Sequence, residues 1–150
     1  MRKNLFTTND NNGNLLCLAP THEEPATSLF LDKLHYGPKN LPFLLYQIST
    51  KFRDEALPRY GLLRSKEFLM KDLYSFHENE NCAKETYDLV NESYARLLGD
   101  RLGLQFFRVK ATSGAMGGTS SHEFHLENAC GQDEILYCKK CRTGFNMEVL

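Results

Sequence analysis

The chain has 150 residues, 41% of them hydrophobic and 25% charged. That balance is ordinary for a folded globular protein and excludes a chain that is disordered throughout. A net charge of −1 at pH 7 argues against a protein that holds nucleic acid through bulk positive charge. The longest apolar run, Leu41 to Ile48, is interrupted by Pro42 and is too short to cross a bilayer. The length suits one domain with one core.

Asn9 to Asn14 is a turn cluster. Leu15 to Ala19 reads as a short buried strand closed by Pro20. Thr21-His22-Glu23-Glu24 fits a capping box, with Thr21 accepting from a backbone N–H and Glu24 reaching back. A helix is predicted from Glu23 to Leu34, with Pro25 harmless in its first turn and Gly37 and Pro38 as stop signals.

Phe43 to Phe52 and Glu67 to Phe76 have β character and form a hairpin across a long loop, Asp54 to Leu63, that contains Pro58 and Gly61. Long ordered loops of this kind are usually functional. Ala83, Tyr87, Val90, Tyr94, Leu97 and Leu98 follow helical spacing from Ala83 to Leu98, so the tyrosines and leucines of that helix are expected in the core; Gly99 and Gly103 end it. Further strands are expected at Gln105 to Lys110, Ser121 to Leu126 and Ile135 to Tyr137, with a small-residue loop at Ser113 to Gly118. The hairpin at 43–76 has no crossover helix, so the expected class is α+β with a mostly antiparallel sheet.

Cys17, Cys82, Cys130, Cys138 and Cys141 are odd in number. Met1 to Phe6 carries neither the apolar stretch of a secretory signal nor a convincing transit pattern, so a reducing compartment is expected. In that setting Cys138-Lys139-Lys140-Cys141 reads either as half of a metal site or as free thiols. The pair supplies only part of the ligand set a structural zinc needs.

The chemistry concentrates on the hairpin. On a strand, Arg53 and Glu55 would share a face, Arg64 stands near the loop, and Phe68, Met70 and Asp72 share one face by the period-2 rule. Guanidinium groups suit phosphate oxygens, an aromatic suits a base, and an acid suits an amine. The same inventory also fits a solvated sheet face laced with salt bridges.

Phe52-Arg53-Asp54-Glu55, the loop, and Arg64-Ser65-Lys66-Glu67-Phe68 resemble motif 2 of the class II aminoacyl-tRNA synthetases. Continued through Met70-Lys71-Asp72 to Tyr74-Ser75-Phe76, the string is similar to the prolyl-tRNA synthetase family of bacterial and mitochondrial type. Pro20-Thr21-His22-Glu23-Glu24, Tyr46-Gln47-Ile48, and Gly117-Gly118-Thr119 through Ser121-His122-Glu123-Phe124 match that family in order and spacing.

The resemblance implies ATP-dependent attachment of proline to its tRNA through a prolyl-adenylate, with ATP used together with Mg2+. Arg53 would hold the α-phosphate and the substrate carboxylate, Arg64 the γ-phosphate, Phe68 would stack on adenine and Glu55 would contact its amino group. Thr21 and Glu23 would receive the proline imino group, and Met70, Asp72 and His122 would complete the proline pocket. For Thr21 the helix cap remains a competing account. His22, His35, His77 and His125 are expected to be structural, hydrogen-bonded histidines. Cys138 and Cys141 would be the only metal candidates, for zinc.

By the same resemblance, residues 1–150 are expected to be the central part of a catalytic domain, with motif 2 at about 52–76. Motif 1 would precede Asn4, while motif 3 and the anticodon-binding domain would follow Leu150. The chain alone is then expected to be inactive, the parent a homodimer that does not use a membrane, and the compartment the mitochondrial matrix rather than the cytoplasm. The competing expectations are a non-catalytic class II-like accessory or RNA-binding subunit, another class II synthetase, and a small zinc-stabilised domain. The intact set Arg53, Glu55, Arg64 and Phe68 weighs against the accessory subunit, and the Thr21–Glu23 spacing against another synthetase.

Overall fold

The computed structural model describes residues 4–32, 40–114 and 117–149. The chain divides into two compact units, residues 1–86 and 87–150.

In the first unit, the turn cluster does what its composition dictates. The Asp10 carboxylate accepts from the Asn12 and Asn14 N–H groups, each at 2.8 Å, and from the Asn14 side chain at 2.9 Å. Gly13 supplies a left-handed backbone, φ 81°. The turn joins β1 (Thr7–Asn9) to β2 (Leu15–Cys17), an antiparallel pair. The expected buried strand at Leu15 to Ala19 is therefore both shorter and exposed, with Leu15 66% accessible. Its one partner is a three-residue strand and, among the described residues, no layer buries its side chains.

Helix α1 spans Glu23–Asp32; Lys33, Leu34 and the stop signals Gly37 and Pro38 lie outside the described residues, as does His35. The helix is seated by its aromatic side chain. Phe30 stacks on Phe76 with ring centroids 4.0 Å apart and touches Phe43 at 5.8 Å, a type of contact worth about 0.5–1.5 kcal/mol beyond area burial. Strands β3 (Phe43–Phe52) and β4 (Glu67–Phe76) pair antiparallel over their full length, in register from Phe43 opposite Phe76 to Phe52 opposite Glu67. Both strands have the predicted boundaries. Alternation then sorts the side chains: Leu45, Gln47, Ser49 and Lys51 face inward with Phe68, Met70, Asp72 and Tyr74, whereas Leu44, Tyr46, Ile48 and Leu69 face out.

Helix α2 (Glu80–Ala95) begins in the first unit and continues into the second. It starts three residues before the predicted Ala83 because Asn79 caps it, its Oδ1 accepting from the Cys82 N–H at 3.0 Å. The wider turns of Arg96–Arg101 carry the chain past Gly99, and Gly103, at φ 65°, ends it.

In the second unit, β5 (Phe107–Lys110), β6 (His122–His125), β7 (Ile135–Cys138) and β8 (Thr143–Asn146) form one sheet in the order β6-β5-β8-β7. Strand β8 lay outside the sequence-based expectations. The β5–β8 pair is parallel and the others antiparallel, so the mostly antiparallel α+β class holds. Val109 is fully buried at the centre of this sheet, against Gly144. Tyr87, Leu89 and Tyr94 of α2 and Leu97 just after it correct the expectation that the tyrosines and leucines of 83–98 are core, since all four remain at least a third exposed. Tyr87 and Tyr94 line an open cavity rather than a sealed interior.

Candidate active site

The end of the β3–β4 hairpin gathers the expected phosphate-binding groups, but not by the route expected. Strand β3 stops at Phe52, so Arg53 and Glu55 lie past its end rather than on it, a correction to the shared-face argument. Their placement comes from backbone bonds: the Arg53 N–H donates to the Lys66 carbonyl at 2.9 Å and the Glu55 N–H to the Arg53 carbonyl at 2.8 Å. The Arg53 guanidinium lies over the Phe68 ring, 5.3 Å from its centroid, and its Nε donates to the Pro20 carbonyl at 3.3 Å. Arg64 reaches back across the hairpin and ion-pairs with Glu55 at 3.0 Å. Beyond them the long loop is closed by an isolated bridge between Arg59 and Arg64, with Tyr60 left-handed at φ 58°. The end of the hairpin thus carries two side-chain pairs, Arg53 with Phe68 and Arg64 with Glu55, joined by the backbone bond between Glu55 and Arg53.

Midway along the inward face lies a second cluster. Asp72 accepts from Lys51 Nζ at 3.0 Å, from Gln47 Nε2 at 3.0 Å and from the Tyr74 hydroxyl. Tyr74 in turn accepts from the His22 N–H at 3.0 Å and lies 3.5 Å from Thr21 Oγ1. Thr21 is therefore turned toward the Tyr74 hydroxyl rather than toward the helix N–H groups, and the capping-box expectation gives way to this tertiary contact. Glu23 sits in the first turn of α1, half-buried, with its charge near enough to Tyr74 to help raise that hydroxyl's pKa, after burial and the bond to Asp72. Met70 faces the same side, opposite Ser49. Burial alone would raise the Asp72 pKa, but the hydrogen bonds from Tyr74, Lys51 and Gln47 outweigh it and hold the carboxyl below its ordinary value.

A cavity of about 230 Å³ lies beside this network, with apolar walls from Pro25, Ala26, Leu29 and Leu45 and a polar wall from His22, Gln47 and Tyr74. Gln47 and Tyr74 are also partners of Asp72, so the wall and the network are one structure. The sequence alone assigns no role to Lys51, Ser49, Gln47 or Tyr74. The signal was present in their parity, because Gln47, Ser49 and Lys51 are polar residues at the inward positions of a strand.

His122 belongs to the second unit. Its Nδ1 is 2.9 Å from the Tyr87 hydroxyl, and burial, then Arg108 and Lys110, lower its pKa. It lines a cavity of about 370 Å³ with Tyr87, Tyr94, Phe124 and Asp133 among others. His125 is structural as expected, paired to Glu123 at 2.8 Å, and Glu123 also accepts from the Asn146 side chain. His77 Nδ1 lies 3.2 Å from Cys82 Sγ, but among the described residues His77 Nε2 and His22 Nδ1 are both buried with no hydrogen-bond partner, unlike the fully satisfied histidines expected there. Ala115 and Met116 of the small-residue loop lie outside the described residues. Cys138, the last residue of β7, and Cys141, on the turn to β8, are exposed free thiols, and hydrogen bonds with Thr143 and then Cys138 lower the Cys141 pKa. Among the described residues no group of three or more His, Cys, Asp or Glu side chains is arranged to hold a metal.

Residues 6–148 match the family described as the tRNA synthetase class II core domain (G, H, P, S and T). The chain belongs to that class II core family. Within it, the chain is 47% identical over all 150 residues to the Mus musculus protein named "Probable proline--tRNA ligase, mitochondrial", covering 31% of that relative. It is 46% identical over its whole length to "Proline--tRNA ligase" of Sulfurimonas denitrificans, covering 34% of it. The chain thus spans about a third of the length of these curated relatives. A crystal structure of Prolyl-tRNA Synthetase from Cryptosporidium parvum, complexed with Halofuginone and AMPPNP, shares the fold with a TM-score of 0.73 at 18% identity, over 83% of this chain and 26% of that one.

Proposed function

We propose that the chain is the motif 2 portion of a proline–tRNA ligase, residues 1–150 lying centrally in the catalytic domain of the whole protein. The observation that carries this reading is the β3–β4 hairpin. It places two arginines and an aromatic ring at its end and a carboxylate-centred network at its middle, matching the separate needs of ATP and of an amino acid. The names of relatives at 46% and 47% identity support the substrate assignment, and the ATP analogue in the structural neighbour supports the nucleotide.

In this reading the proline carboxylate attacks the α-phosphorus of ATP in line. A carboxylate O–P bond forms, the bond to the β-phosphate oxygen breaks and pyrophosphate leaves. A tRNA hydroxyl then displaces AMP from the prolyl-adenylate. Arg53 stabilises the charge on the α-phosphate, and Arg64 takes the γ-phosphate; the first step needs no general base, because its carboxylate nucleophile is already ionised, and in the second the tRNA hydroxyl gives its proton to the departing AMP phosphate or to water. Mg2+ would arrive on the phosphates of ATP, and no residue of this chain is assigned to it. Stacking of adenine on the covered face of Phe68 requires the Arg53 guanidinium to swing off the ring, toward the phosphate. Thr21, Glu23, Met70 and Asp72 form the proline side. For His122 the support is the resemblance of its own block.

The matrix is the compartment favoured by the mitochondrial relative, a bacterial relative of similar identity notwithstanding. tRNA recognition and homodimer formation are assigned to the whole protein.

The test is proline-dependent ATP–pyrophosphate exchange by the full-length protein. Exchange is expected with wild type, and Arg53→Ala is expected to reduce it by roughly 10²- to 10³-fold, the usual cost of losing one stabilising donor to developing charge. No proline-dependent exchange by the wild type would overturn the reading.

A further inference from the structure

Lys51 is fully buried, with 0% of its surface accessible. A lysine is almost never fully buried unless it is paired, because the desolvation of an ammonium is costly. Here its Nζ donates to Ser49 Oγ at 2.6 Å and to Asp72 Oδ1 at 3.0 Å. Ser49 donates to Gln47 Oε1 at 3.2 Å, and Gln47 Nε2 donates to Asp72 Oδ2 at 3.0 Å. The bonds close a ring, Lys51–Ser49–Gln47–Asp72, on the inward face of β3 and β4. Every group that touches Asp72 in this ring donates to it, Tyr74 included. The ring is satisfied only while the carboxyl is ionised.

We propose that Lys51 is the positioning residue of the proline side of the site. Its ammonium keeps Asp72 charged and turned so that one oxygen orients Gln47 and Tyr74, the polar wall of the cavity beside α1. This rests on the proline-activation reading and adds the residue on which the wall depends. Lys51 is not among the residues that line the cavity; it acts through Asp72. Without it, Asp72 would keep its desolvation and lose its counter-ion, and would take up a proton at higher pH. As a carboxylic acid it would then meet Tyr74 or Gln47 donor to donor. The other charged or titratable groups on this side are His22 and Glu23 at the start of α1, Tyr74 on β4, and Arg53, tied to Pro20.

The experiment compares wild type, Lys51→Met and Asp72→Asn in the full-length protein by proline-dependent pyrophosphate exchange from about pH 5 to 8, with KM taken separately for proline and ATP. Lys51→Met should raise the KM for proline by roughly tenfold to hundredfold, the scale of a lost hydrogen bond to a charged group, and change that for ATP by no more than about twofold. Its activity should also fall on the acid side at higher pH than wild type does. Asp72→Asn should weaken proline similarly and show no such displaced acid limb. An equal loss for both substrates with an unmoved pH profile would mean a merely structural lysine and would overturn the proposal. Should Lys51→Met not fold, Lys51→Gln carries the same comparison. If wild type shows no proline-dependent exchange, it is the activation reading that fails. Carboxyl 13C titration of Asp72 still decides the positioning role, which is overturned if Asp72 titrates identically with and without Lys51.

Discussion

Gly144 shows how little room one position leaves. A Cβ there would lie 2.6 Å from Val109 Cγ1 and 2.8 Å from Tyr137 Cδ2. Val109 is fully buried and has nowhere to retreat. Gly144→Ala should therefore cost about 1–3 kcal/mol, an overpacking penalty measurable by urea unfolding. Glu123 shows how one charge is tuned. Burial raises its pKa, but hydrogen bonds from His125 and Asn146 outweigh this and hold it below the ordinary 4.5. A depressed carboxyl stabilises the fold at pH values above the unfolded pKa and loses that contribution as the pH falls through the folded one. Unfolding followed from about pH 6 down to 3 should show a shallower acid loss in Glu123→Gln than in wild type. An equally steep loss would remove Glu123 from the account. None of these partnerships follows from a residue's own identity; each depends on a neighbour brought in by the sheet.

At the scale of the element, local rules did most of the work. The β3 and β4 segments were legible because both are rich in aromatic and aliphatic residues, although in β4 the alternation of burial breaks from Asp72 to Tyr74. The start of α2 was missed because its apolar spacing begins at Ala83 while the cap, Asn79, stands earlier among polar residues. Asn79→Ala should destabilise the helix start by about 1 kcal/mol, seen as a lower midpoint of thermal unfolding; an unchanged midpoint would mean that the cap contributes nothing. The capping box at Thr21 failed for the opposite reason. Its local pattern was sound, but a tyrosine hydroxyl from β4 offered Thr21 and the His22 N–H another partner. Arg53 and Glu55 show the limit of extending strand parity past a strand's end: they reached the expected cluster through loop backbone bonds instead.

For the molecule as a whole, the exposed apolar residues are informative. Leu44, Tyr46, Ile48 and Leu69 form an outward face of the hairpin, with Tyr46 67% and Leu69 71% exposed. Few large apolar side chains are buried among the described residues, with Val109 foremost. The length first suggested a domain with one core of its own, whereas the structure shows two compact units with little fully buried apolar surface. The curated relatives are about three times as long, and the activity proposed above is accordingly assigned to the whole protein.

By itself the sequence determined the class, the hairpin, the charged and aromatic residues on it and, through four blocks in register, the family. Those properties are carried by local periodicity and by residue identity at fixed spacing, which need no partner. Only the tertiary structure decided which polar groups satisfy one another: Arg64 with Glu55, Tyr74 with Thr21 and His22, and Lys51 with Asp72 in a closed ring. Such pairings depend on distances between residues far apart in the chain. A buried ammonium in particular is tolerable only where the fold supplies its counter-ion, and no reading of β3 alone could show that β4 does so.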